Sequence, residues 1–153
     1  MHRSAALLAL IASTSAGAGG LSTAEKRIVA AVDANQAAAM SLIEEAVNIE
    51  SATENHAGVR KAGEVFAREL AALGFETHWV DLPPQVGRAG HLVAVHRGTK
   101  GKRLLLIGHL DTVLQGEAFR VEGDRAYGTG IADMKGGNVI VVEALRALHA
   151  TGA

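Results

Sequence analysis

The chain has 153 residues, 48% hydrophobic and 20% charged, a mixture suited to one globular domain with a core of its own. A formal net charge of −1 leaves no basic footprint for nucleic acid, and no nucleic-acid partner is expected. With no cysteine, disulfides and thiolate metal sites are excluded, so any metal must be held by His, Asp or Glu.

At the N-terminus, Arg3 precedes the apolar residues 5–12, and Ala16-Gly17-Ala18 supplies the small side chains that a signal peptidase accepts. Residues 1–18 therefore read as the signal peptide of an exported precursor, with a periplasmic or secreted mature protein. The alternative is a cytoplasmic protein in which residues 5–12 open an ordinary helix. Nothing later approaches the ~18 apolar residues that a bilayer span requires, and no membrane partner is expected.

Ser22-Thr23-Ala24-Glu25 fits a capping box, and Ile28, Val32, Leu42, Ile43 and Val47 follow at roughly helical spacing. This predicts a helix running to about Asn48, interrupted near Asn35. A second helix starts at Ala57, with Val59, Ala62, Phe66, Leu70 and Leu73 as its apolar stripe and Gly74 as its C-terminal cap. Residues 75–80 alternate as a half-buried strand, Pro83-Pro84 end it, and residues 91–96 form another.

Residues 103–108 are short and continuously apolar, which predicts a central strand covered on both faces. Residues 119–122 and 125–127 flank Gly123-Asp124 as a tight hairpin. Val139, Val142, Leu145 and Leu148 mark a last helix, stopped by Gly152. The order of elements predicts a layered α/β domain, with helices packed on a central mixed sheet.

His109-Leu110-Asp111 follows directly on the expected central strand, where ligand-binding side chains of α/β sheets collect. Alternation along an extended segment would turn residues 109 and 111 to one side. The Asp111 carboxylate could then accept the second ring N–H of His109, fixing its tautomer for metal ligation. Asp133 lies in the glycine-rich stretch 128–137 that opens the last helix, where a carboxylate can bridge two cations. Gly128-x-Gly130 could open a dinucleotide fingerprint. Against that, Asp133 occupies the third glycine position, and its charge would repel a pyrophosphate.

Taken together, Gly108-His109-Leu110-Asp111-Thr112-Val113, Phe119-Arg120-Val121-Glu122-Gly123-Asp124, Tyr127-Gly128-Thr129-Gly130 and Asp133-Met134-Lys135-Gly136-Gly137 closely resemble a zinc exopeptidase family. That family comprises glutamate carboxypeptidase, acetylornithine deacetylase and succinyl-diaminopimelate desuccinylase, with the bacterial glutamate carboxypeptidases nearest. Val47-Asn48-Ile49-Glu50-Ser51 and Leu73-Gly74-Phe75 look like the same branch, so the resemblance covers most of the mature chain.

The resemblance implies that His109 is a zinc ligand, Asp111 the catalytic-site aspartate that orients it, and Asp133 the carboxylate bridging two zinc ions. It also implies a cis peptide bond between Asp133 and Met134. Residues 22–153 would be the N-terminal part of the catalytic domain, incomplete at its C-terminus and without the family's lid or dimerisation domain. The reaction implied is hydrolysis of an amide bond next to a free carboxylate by zinc-activated water. Its substrate would be a small peptide or N-acyl amino acid, with a glutamate-type carboxypeptidase preferred and an amino-acid deacylase as alternative. A homodimeric parent is an open option.

The family's paired glutamate, further acidic ligand and distant histidine have no match here. Glu44-Glu45 precedes the histidine and reads as a solvated helix face. The rival reading is accordingly a non-catalytic, truncated α/β domain. His56, His78, His91, His96 and His149 lack a carboxylate at ligand spacing and read as surface or packed residues. Lys135, at a helix start, is expected to point to water.

Overall fold

The computed structural model describes residues 20–99 and 101–152; the expected signal peptide over residues 1–18 lies outside the described residues. The first described helix, α1 (Thr23–Ala34), begins with both halves of the expected capping box. Glu25 N donates to Ser22 Oγ at 3.3 Å, and Ser22 N donates to Glu25 Oε2 at 2.7 Å. The two bonds satisfy orphan amides that any helix leaves at its start. Asn35, at φ −104° and ψ 5°, separates α1 from α2 (Gln36–Val47), so the interruption falls where the sequence placed it.

Helix α3 (His56–Ala72) starts at Asn55, whose side chain accepts from Gly58 N, and ends just before Gly74 at φ +83°. Two strands follow, β1 (Glu76–Val80) and β2 (His91–Val95), paired antiparallel with Trp79 opposite Leu92. They lie on α3, where the Arg60 guanidinium stacks 4.6 Å above the Trp79 ring. The second pair, β3 (Arg120–Glu122) and β4 (Arg125–Tyr127), turns through Gly123 at φ +63°, matching the expected hairpin. An irregular helical segment, Ile131–Lys135, leads into α4 (Gly136–Thr151), which stops at left-handed Gly152.

Packing is centred where α2, α3 and α4 meet. Leu42 and Ala46 from α2, Val65 and Phe66 from α3, and Val139 and Val142 from α4 form one buried cluster. Leu42 and Ala46 are four residues apart and Val139 and Val142 three, the spacing that brings one face of a helix inward, while α3 contributes the adjacent Val65 and Phe66. Around the rim, Arg68 forms a bidentate pair with Glu45 at 2.9 and 2.8 Å, and Arg146 reaches Glu69 at 2.8 Å. Glu45 is thus tied to α3 rather than simply solvated. Helix α1 buries no residue and packs along α4, while the Asn35 side chain donates to Glu143 of α4.

The class is α/β, as the order of elements implies, but the expected central strand over residues 103–108 is corrected. These residues belong to neither strand nor helix, and Leu104, Leu105, Leu106 and Ile107 are 85%, 82%, 57% and 81% exposed. An apolar run is covered only when strands flank it and helices close both faces. Here the described ladders are two separate antiparallel pairs, joined to neither edge of this segment. The expected mixed sheet is reduced to those pairs and one parallel bridge, Ala52 to Thr112.

In this 153-residue chain, Phe66→Ala should lower unfolding free energy by about 3–5 kcal/mol, the usual cost of emptying a buried aromatic site. Leu105→Ser, on a side chain already in water, should shift it by no more than about 0.5 kcal/mol. Denaturant titration of the two variants measures both.

Candidate metal centre

Local backbone constraints bring His109 to its place. A Cβ on Gly108 would meet Asn138 Oδ1 at 2.3 Å, so a larger residue would have to push aside the side chain that packs there from the first turn of α4. Asn138 Nδ2 then donates to the His109 carbonyl oxygen at 2.7 Å. Beyond it, Ser51 Oγ donates to Leu110 O at 3.0 Å, and Thr112 N donates to Ser51 O at the same distance. Thr53 N donates to Thr112 O at 3.1 Å, completing the bridge between residues 51–53 and 110–112.

Asp133 arrives from the other side. Gly130 sits at φ +75° and turns the chain out of β4, while Asp133 and Met134 carry non-helical angles and are joined by a cis peptide bond, as the resemblance implies. Lys135 anchors this turn from below. Its side chain is not in water, as expected for a helix-start lysine, but 1% exposed, with Nζ donating to Ile49 O at 2.7 Å. Burial lowers the Lys135 pKa, and the nearby charge of Glu50 partly opposes that shift.

The structure brings His109, Asp111 and Asp133 together. His109 Nε2 lies 2.8 Å from Asp133 Oδ1, across 24 residues of chain. His109 Nδ1 faces the backbone oxygen of Asp111 at 2.9 Å, and Asp111 Oδ1 stands farther off at 3.5 Å. The expected carboxylate-to-ring hydrogen bond is thus replaced by one to the carbonyl of the same residue. Asp111 Oδ2 instead accepts from Thr53 Oγ1 at 2.7 Å. Sequence reasoning missed Thr53, Ser51 and Asn138, which act only through contacts 29 to 59 residues apart.

Both ring nitrogens of His109 face oxygens that can only accept, so the doubly protonated ring satisfies both. Partial burial opposes its protonation, but the bonds to Asp133 and to the Asp111 backbone, with the charges of both carboxylates, outweigh that and raise its pKa. A cation approaching Nε2 must displace that proton, so metal binding releases it. One imidazole and one carboxylate are hard or borderline donors suited to zinc, and they meet directly at a place open to solvent, Asp133 being 84% exposed. Among the described residues no group of three such ligands gathers, so these two fit as part of a zinc site, which ordinarily has four positions.

Among the described residues, none of the other histidines joins this group. His96 packs its ring on Phe75 with centroids 5.2 Å apart. A cleft of about 490 Å³ beside α2 and α3, lined by Glu45, Lys61, Glu64 and Arg68 among others, is a separate feature.

A histidine whose folded pKa exceeds its ordinary value of about 6.5 stabilises the fold below that pH, and the contribution disappears as pH rises through the folded value. In the metal-free chain, the difference in thermal midpoint between wild type and His109→Asn should therefore shrink between about pH 6 and about pH 8. Melting curves recorded across that range test the sign.

The sequence pattern of peptidase family M20/M25/M40 matches residues 105–153, which contain all three side chains. The chain is 37% identical to carboxypeptidase G2 of Pseudomonas sp. (strain RS-16) over 158 aligned residues, 99% of this chain and 38% of that protein. It is 38% identical to the succinyl-diaminopimelate desuccinylase of Leptothrix cholodnii (strain ATCC 51168 / LMG 8142 / SP-6), over 72% of this chain and 31% of the relative. Acetylornithine deacetylase of Photorhabdus laumondii subsp. laumondii is 34% identical over 54% of this chain and 23% of its own length. The chain thus spans between about a quarter and two fifths of these relatives.

Proposed function

We propose that this chain, a member of peptidase family M20/M25/M40, supplies the N-terminal part of the catalytic domain of a metal-dependent hydrolase that cleaves an amide bond beside a free carboxylate. The observation that carries the reading is the 2.8 Å approach of His109 Nε2 to Asp133 Oδ1, two ligand-type side chains brought together from distant parts of the chain. The names of the relatives support amide hydrolysis in general. Of the finer alternatives, a carboxypeptidase is preferred, because carboxypeptidase G2 aligns over nearly the whole chain, and glutamate as its target follows from the motif resemblance alone. An N-acyl amino acid deacylase is the second reading, supported by the desuccinylase and deacetylase relatives.

In this proposal His109 and Asp133 would hold zinc, with two ions expected in the complete site. When bound, zinc supplies a Lewis acid for the amide carbonyl and makes water a stronger acid. Asp111 would fix the ring of His109 twice over, its carbonyl facing Nδ1 at 2.9 Å and its carboxylate charge standing 3.5 Å off, so that Nε2 is the nitrogen left for the metal. The substrate is a small peptide or N-acyl amino acid, in the periplasm or outside the cell, with neither nucleic acid nor membrane as partner. Homodimerisation of the whole protein belongs to the same proposal.

The described residues gather only two ligands and no general base beside them, which favours an inactive chain when these 153 residues are isolated. Zinc added to that chain alone should give no turnover of N-acyl glutamate, while the full-length protein should hydrolyse it. Chelation should abolish that activity and zinc should restore it. In the full-length protein, Asp111→Asn should cost about 10–100-fold in activity, as expected for a residue that orients a ligand, and His109→Ala should cost more. Steady-state kinetics on a glutamyl peptide and an N-succinyl amino acid would decide between peptidase and deacylase.

A further inference from the structure

Residues 51–53 do more than close the loop between α2 and α3. Ser51 is 1% exposed and spends its hydroxyl on Leu110 O, while its own carbonyl takes Thr112 N. Thr53 follows two residues later on the same parallel bridge, with its side chain on Asp111. Its hydroxyl has one proton and two acceptors within reach, Asp111 Oδ2 at 2.7 Å and Thr112 O at 3.4 Å. The shorter bond, to a charged acceptor, takes the proton.

We infer that Thr53 is a positioning residue for the metal centre, holding one carboxylate oxygen of Asp111 so that the other stays turned toward His109. The inference rests on reading His109 and Asp133 as metal ligands. Asp111 Oδ1 is 3.5 Å from His109 Nδ1, within reach once the ring adjusts to a cation at Nε2, whereas Oδ2 is occupied by Thr53. Without that hydroxyl the carboxylate is free to rotate about its side-chain torsions, and half-exposed Asp111 would turn toward water. The ring would lose its electrostatic partner, and its affinity for a cation would fall. Because Thr53 N is fixed by Thr112 O, the hydroxyl is delivered by backbone that the rest of the bridge already holds.

The experiment titrates zinc, and separately cobalt, into metal-free full-length protein, following heat by calorimetry and the cobalt visible spectrum. Thr53→Val, which keeps the shape and removes the donor, should weaken binding by about 10-fold and alter the cobalt bands. Thr53→Ser, which keeps the donor, should bind as wild type does. In an Asp111→Ala background, Thr53→Val should weaken binding no further, since the group it acts through is gone. A purely structural role would instead lower the thermal midpoint of the metal-free protein and leave zinc affinity unchanged, overturning the inference alone. Failure of the wild type to bind either ion would overturn the metal-centre reading and the inference with it. If Thr53→Val does not fold, Thr53→Ala is read in its place by the same criteria.

Discussion

The short stretch after α2, residues 49–53, is the part on which the others depend. Ile49 offers its carbonyl to the buried ammonium of Lys135, and residues 51–53 pair with residues 110–112. A buried amine is costly unless it is hydrogen-bonded, so the Ile49 carbonyl, with the nearby charge of Glu50, offsets part of the cost of burying Lys135 and ties down the turn that carries Asp133. Two segments that are distant in sequence are clamped to a single piece of backbone. The 2.8 Å meeting of His109 and Asp133 follows from that shared clamp.

The electrostatics at the centre are those of a site arranged around a positive charge. His109 lies between acceptors on both ring nitrogens, and Asp133 stands largely in solvent with no other cation in contact with it among the described residues. In the absence of metal, a proton on the ring would supply that charge, which the neighbouring carboxylates favour. A cation at Nε2 would compete with a proton for that nitrogen, so any occupancy there would depend on pH even though the surrounding backbone need not move.

Much of this was readable from the residues, because the signals concerned are local. A capping box at Ser22, a break at Asn35, left-handed glycines after α3 and α4, and a hairpin at Gly123 each act over four residues or fewer, and each stands where the sequence put it. His109 and Asp133 were also legible, as residue types in a recognisable pattern. The fate of residues 103–108 was not, because apolarity states a demand for burial while only other strands can meet it. Nor was Lys135, whose Nζ finds its partner 86 residues away, or Thr53, whose polar neighbourhood reads as an ordinary loop. In each case the deciding contact is long-range, and periodicity carries no information about it.

The exposed aliphatic run at residues 104–107 has a further consequence for the chain in solution. Four consecutive large apolar side chains with unclaimed backbone beside them form a template for intermolecular β-pairing, since neither charge nor proline interrupts the run. Colloidal behaviour of the chain is therefore set a few residues upstream of its candidate chemistry. A charge placed there would improve dispersion at side chains that already stand in water.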